Sequence, residues 1–385
     1  MRKSLLLTVF VCLVVCCVTL YAEQWVGDSM SSDIETPHPY PRASAGDLVW
    51  SHTIYQKGAS WVKLHFSDFN LNDEDYLELV DMYGTVIETV KGSDMNAGSN
   101  KFRVKRPTPD KNMRQGMIDH VAFWGPAIDG NEITINLYRG SEKKNGWGFS
   151  IDEIGVGAVP IFADENISYI ESICGSDDKT RIKCASSFYQ NLGEAVGRML
   201  FQKSGSWYVC TGFLCSCNSS HFLTNEHCIT SQTVVNTLQV RFKYRYSACT
   251  GSSLDSYSTY YGDDFVTDST SYDFCLLTLT GSPQNTYGYL GLINGNPVSG
   301  EDIYIIQHPG GRPQEIGFGT VYSTYANGGK DFSYYVDTEG GSSGSPVFAE
   351  YEDEVLGLHH YGGCPNSAVK MNYIFEYITG YLGCN

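Results

Sequence analysis

The sequence predicts an all-β protein of two domains. Three observations carry this: segments in which apolar and polar residues alternate, an abundance of Gly and Tyr, and a one-sided distribution of cysteine. With 40 Gly and 27 Tyr in 385 residues, the chain suits many short strands and turns better than long helices. A chain of this length holds two ordinary domains. Of its 13 cysteines, Cys12, Cys16 and Cys17 lie in an apolar leader and the other ten all follow residue 173. Residues 23–173 contain none, which marks a domain boundary.

The first segment, residues 1–22, reads as a secretory signal. Arg2 and Lys3 precede an apolar stretch from Leu5 to Leu20, with cleavage expected after Ala22. No other stretch is apolar enough to cross a membrane, so the expected product is secreted, extracellular and free of the membrane. An even set of ten remaining cysteines fits disulfides formed in an oxidising compartment. The net charge of -17 carries no footprint for nucleic acid. It favours a soluble protein, expected as a monomer, and weakly favours cationic substrates.

Residues 36–156 form the first predicted domain. Val62-Lys63-Leu64-His65-Phe66 and Ile133-Thr134-Ile135-Asn136-Leu137 each place apolar side chains on one strand face. Turns at Gly92, Gly130-Asn131 and Asn145-Gly146 separate such segments, which predicts a β-sandwich. Residues 157–172 read as a linker. In residues 173–385, strands are predicted at 222–224, 240–246, 274–279, 303–306 and 355–358, with a helix over 371–382. Many strands with irregular connections predict a barrel-type domain.

Three segments of the second domain bear chemistry. Acyl transfer by a serine needs a hydroxyl, an imidazole to take its proton and a carboxylate to hold the imidazole's tautomer. Gly340-Gly341-Ser342-Ser343-Gly344-Ser345-Pro346 supplies the candidate nucleophile Ser343, with the amides of Gly341 and Ser343 as a candidate oxyanion hole. Phe222-Leu223-Thr224-Asn225-Glu226-His227-Cys228 runs a strand into the candidate base His227, and Asp273 stands at the mouth of the apolar strand after Tyr272. This chemistry requires no cofactor. A zinc site from Cys215, Cys217, His221 and His227 is disfavoured by the oxidising compartment.

Two resemblances sharpen the expectation. Thr36-Pro37-His38-Pro39-Tyr40-Pro41, the segment LHFSDFNLNDEDYLEL from Leu64 to Leu79, and Gly146-Trp147-Gly148-Phe149-Ser150-Ile151 resemble a CUB-like domain. That likeness implies calcium as a cofactor of the N-terminal domain, with Asp75 as a ligand, although the usual CUB cysteines are missing. Residues from 174 onward resemble the trypsin-like peptidases of the lysyl and glutamyl endopeptidase groups. The likeness runs through Ala195-Val196-Gly197, Cys210-Thr211-Gly212, TNEHC, Tyr272-Asp273-Phe274, His308-Pro309, GSSGSP and Leu356-Gly357-Leu358-His359.

It implies a chymotrypsin-like double β-barrel, in which His, Asp and Ser occur in this order, and protein or peptide substrates. It also implies the pairs Cys174–Cys364, Cys184–Cys249 and Cys210–Cys228, and leaves Cys215, Cys217, Cys275 and Cys384 open. Trypsins place an acid just before the nucleophile for zymogen activation; here that position is Ser342. For specificity, Asp337 matches the carboxylate with which trypsins bind Lys or Arg, the expected preference. Thr338 and His359 match the residues that glutamyl endopeptidases use for Glu, the alternative; a catalytically inactive binding protein of the same fold is the other alternative.

Overall fold

The computed structural model describes residues 23–96, 101–105, 120–141, 146–158 and 172–383. The expected signal, most of the linker and Cys384 lie outside these residues. Among the described residues no helix is long and apolar enough to cross a membrane.

The first domain is a two-sheet sandwich. One sheet orders the strands Gln24–Glu35, Gly148–Gly157, Trp61–Asn70 and Val121–Trp124; the other orders Leu48–Tyr55, Glu132–Tyr138, Tyr76–Asp81 and Val86–Lys91. Alternation does what it promised in Glu132–Tyr138, where Ile133, Ile135 and Leu137 are buried and their neighbours are not. They meet Phe66, Phe69, Phe149 and Ile151 in a common core. Trp61–Asn70 departs from simple alternation, because Lys63 is fully buried beside Val62 and Leu64. Its outer face lies under the second domain: Lys63 Nζ donates to Gln239 Oε1 at 3.1 Å and lies over the Trp207 and Tyr261 rings. Burial, then the charge of Arg241, holds this amine well below the usual lysine range.

The calcium expectation at Asp75 meets a filled carboxylate. Asp75 is fully buried. It accepts from Tyr40 Oη, from Asn72 Nδ2 at 2.8 Å and from Gly140 N at 2.7 Å. The buried Arg139 guanidinium lies 3.6 Å away. Calcium needs six to eight oxygen ligands; here donors and an internal cation surround the one carboxylate, so these residues do not fit the ion.

The second domain is a chymotrypsin-like pair of closed six-stranded barrels. The first runs Val196–Lys203, Gln239–Phe242, Ser258–Ser269, Phe274–Leu279, His221–Thr224, Ser206–Leu214 and back to Val196–Lys203. The second runs Glu315–Ala326, Asp302–Gln307, Pro346–Ala349, Glu354–Tyr361, Asn366–Lys370, Asp331–Tyr334 and back to Glu315–Ala326. The strand expected over 240–246 stops at Phe242 because Lys243 takes a positive φ of 59°. The last helix covers Met371–Ile378 and ends in a 3₁₀ turn.

Gln24–Glu35 pairs with Gly148–Gly157 on one side and with Ser206–Leu214 on the other. One sheet therefore runs unbroken from the sandwich into the first barrel. Val26, Trp61, Trp124 and Ala127 share a core with Leu200, Trp207, Val209 and Tyr244 across this junction.

The three implied disulfides, Cys174–Cys364, Cys184–Cys249 and Cys210–Cys228, are present. Cys217 is also disulfide-bonded. Cys215 and Cys275 are buried free thiols, both pushed up by burial. Cys210–Cys228 bridges residues 18 apart. Its removal in the Cys210→Ala/Cys228→Ala double variant is expected to cost about 2–5 kcal/mol, measured as a lower denaturation midpoint, with a slope that rises as the unfolded chain expands.

Candidate active site

His227 follows the strand His221–Thr224, in a turn tied to the next strand's mouth. Its N–H donates to Asp273 Oδ1 at 2.9 Å, and its Nδ1 lies 2.7 Å from Asp273 Oδ2. A carboxylate only accepts, so the proton sits on Nδ1 and Nε2 keeps its lone pair. Asp273 itself holds a positive φ of 43°, a strained value for a non-glycine residue. Asn225 Nδ2 supports that turn by donating to the Asp273 carbonyl at 2.8 Å. Burial alone would raise the Asp273 carboxyl, but His227 and His360 hold it well below the usual carboxylate range.

His360 was not foreseen. Its Nδ1 lies 3.2 Å from Asp273 Oδ2 and its Nε2 lies 2.9 Å from Asp331 Oδ2, all buried. An imidazole between two carboxylates donates from both nitrogens, which is the cation. Burial works against that charge, yet the two carboxylates raise His360 above its ordinary value. The signal lay in the pair His359-His360 on one strand, since neighbours on a strand face opposite ways.

Ser343 is fully buried, and its Oγ makes no hydrogen bond. Its carbonyl accepts from Thr211 N at 2.9 Å. Thr211 adjoins Cys210, whose disulfide reaches Cys228 beside His227. The nucleophile turn and the histidine turn are thus fastened to the same stretch of strand. Gly344 has φ 86°, and a Cβ there would stand 2.1 Å from the Thr211 carbonyl oxygen, so only glycine fits. Within the turn, Ser342 N donates to Glu339 O at 3.0 Å and Gly344 N to His359 O at 2.9 Å. The amides of Gly341 and Ser343 donate to no backbone carbonyl among the described residues. Ser342 Oγ donates to Gln307 Oε1 at 2.6 Å, an internal contact in place of an activation switch.

The specificity candidates divide. Asp337 is buried with its oxygens already used: Oδ1 accepts from Cys174 N at 2.7 Å and Oδ2 from Asp178 N at 3.1 Å. Burial, then Asp337, raises the Asp178 carboxyl beside it. Asp337 thereby anchors the start of the second domain, through main-chain donors that no local motif announces. Thr338 and His359 are fully buried, and Thr338 Oγ1 and His359 Nε2 make no hydrogen bond. His359 Nδ1 lies 2.6 Å from Tyr334 Oη. Burial, then the charges of His360 and His227, pushes the His359 imidazole down to about 3, so it is neutral. Burial, then Asp331, raises Tyr334 well above its ordinary value, so the phenol keeps its proton.

Among the described residues, the one group with ligand atoms close enough for a metal is Cys210, His227 and Cys228. Both its sulfurs are spent in a disulfide, so the thiolates a metal would need are not available.

Comparison with known proteins agrees with this architecture. A secreted RxLR effector protein 73 of Plasmopara viticola is 29% identical over 364 residues, 86% of this chain and 83% of that protein. An extracellular metalloprotease of Bacillus subtilis is 31% identical over 52% of this chain and 66% of its own length. A lysyl endopeptidase of Pseudomonas aeruginosa is 25% identical over 68% of this chain and 61% of its own. The family model for the C-terminal domain of lysyl endopeptidase matches residues 173–374. With that match spanning the double barrel and both turns of the site, the chain belongs to the lysyl endopeptidase C-terminal-domain family of trypsin-like serine peptidases.

Proposed function

We propose that the protein is an active secreted endopeptidase in which Ser343 attacks the scissile carbonyl, His227 takes and returns the proton, and Asp273 orients His227. One observation carries this: an imidazole whose Nδ1–H is held by a depressed carboxylate, fastened to the same strand as a buried serine hydroxyl with no other bond. The amides of Gly341 and Ser343 form the oxyanion hole, where charge develops on the carbonyl oxygen. His360 and Asp331 back the carboxylate, so that Asp273 stays ionised while His227 gains charge in the transition state. Substrates are proteins or peptides, the protein is monomeric, and no cofactor is required. The N-terminal sandwich is read as CUB-like on its two-sheet form and on the segments quoted above.

For specificity we favour cleavage after Glu over cleavage after Lys or Arg. Buried polar atoms without partners are costly, and a ligand that meets them relieves that cost. Thr338 Oγ1 and His359 Nε2 are such atoms, whereas Asp337 is engaged by two main-chain donors. Tyr334 Oη lies 2.6 Å from Nδ1; in the tautomer where Tyr334 donates, His359 carries its proton on Nε2, the donor that a substrate carboxylate needs. The test is a set of fluorogenic peptides differing only at the residue before the cleaved bond. Wild type is expected to prefer Glu, and His359→Ala to lower kcat/KM on the Glu peptide about a hundredfold, the loss for a missing donor to a charged group. Preference for Lys or Arg, lost in Asp337→Ser, would overturn this choice.

A further inference from the structure

The strands Val196–Lys203 and Ser206–Leu214 are joined by Ser204 and Gly205, both at positive φ, a two-residue hairpin turn. The first strand of the chain grips this hairpin. Asp28 lies opposite Ser206 and accepts from its hydroxyl at 2.7 Å. Ser29 N donates to the Gly205 carbonyl at 2.8 Å, and Trp207 Nε1 donates to Ser29 Oγ at 2.9 Å. Lys203, at the root of the turn, is thereby brought against Glu23. Its Nζ lies 2.7 and 2.6 Å from the two Glu23 oxygens, and also donates to the His227 carbonyl at 2.7 Å.

The His227 main chain is then held from three sides. Its N–H is fixed by Asp273, its carbonyl by Lys203, and the next residue by the Cys228 disulfide. Asp273 and the disulfide belong to the second domain, but the carboxylate that steadies Lys203 comes from Glu23, just ahead of the strand Gln24–Glu35. Glu23 keeps the ammonium on the carbonyl by holding it with a charge-assisted pair, both partners being partly buried.

We propose that Lys203, clamped by Glu23, is a positioning residue for His227, which makes the N-terminal strand part of the active-site apparatus. This rests on His227 being the general base. The test uses the full-length protein and the peptide it cleaves best. Lys203→Met is expected to lower kcat about tenfold with KM changed less than about twofold, as displacement of a reacting group does. Fluorophosphonate labelling should slow by the same factor, and Lys203→Arg should recover most of kcat. If Lys203→Met does not fold, Glu23→Gln serves, with kcat lowered about threefold. Unchanged kcat in the folded variant, or a change confined to KM, overturns the clamp alone. A wild type that neither cleaves peptides nor takes the fluorophosphonate overturns the role of His227 and the clamp with it.

Discussion

Ser343→Ala is expected to lower kcat by about a millionfold, the scale of loss when a serine nucleophile is removed. Fluorophosphonate labelling should disappear with it. The change is unusually clean, because Ser343 Oγ makes no hydrogen bond and its deletion leaves no partner stranded. Stability should therefore change by less than about 0.5 kcal/mol. An inactive variant that melts with wild type separates chemistry from folding. Labelling that persists in Ser343→Ala would place the nucleophile elsewhere and overturn the mechanism.

Asp273→Asn is expected to lower kcat by about ten-thousandfold. The side-chain oxygen still accepts from His227 N, where Oδ1 now lies 2.9 Å away. The amide nitrogen, however, takes the place of Oδ2 and donates to His227 Nδ1. The imidazole proton then moves to Nε2, which can no longer accept from Ser343. The same exchange removes the acceptor that His360 Nδ1 faces at 3.2 Å. Steady-state kinetics on folded protein checks the size of the loss; a decrease smaller than about a hundredfold would mean that Asp273 does not set the tautomer.

Much of the fold was legible because its cause is local. The alternation in Ile133–Leu137 exposes one apolar face, and a sheet must cover it wherever the rest of the chain goes. The histidine and the aspartate were legible because each stands at the end of an apolar strand, and the serine because Gly341 and Gly344 mark a turn of positive φ. What remained hidden depends on residues far apart in the chain. Strand pairing turns His360 toward Asp273 and His359 toward Tyr334, which neither residue's local sequence announces.

Asp337 matched a specificity position, but its partner Cys174 N is 163 residues away, and only the closed barrel brings that donor onto the carboxylate. Asp75 offered the charge that calcium likes; the sandwich supplied Arg139 instead. Lys63 lies on the face opposite the apolar side chains of its segment, and the second domain covers that face. By itself the sequence determined the all-β class, the cysteine-rich second domain and the residue types of the site, since period, turn chemistry and reactive side chains are properties of short segments. The tertiary structure decided which buried polar groups find partners and how Gln24–Glu35 joins the domains, because sheet register and barrel closure choose the neighbours of every buried polar group.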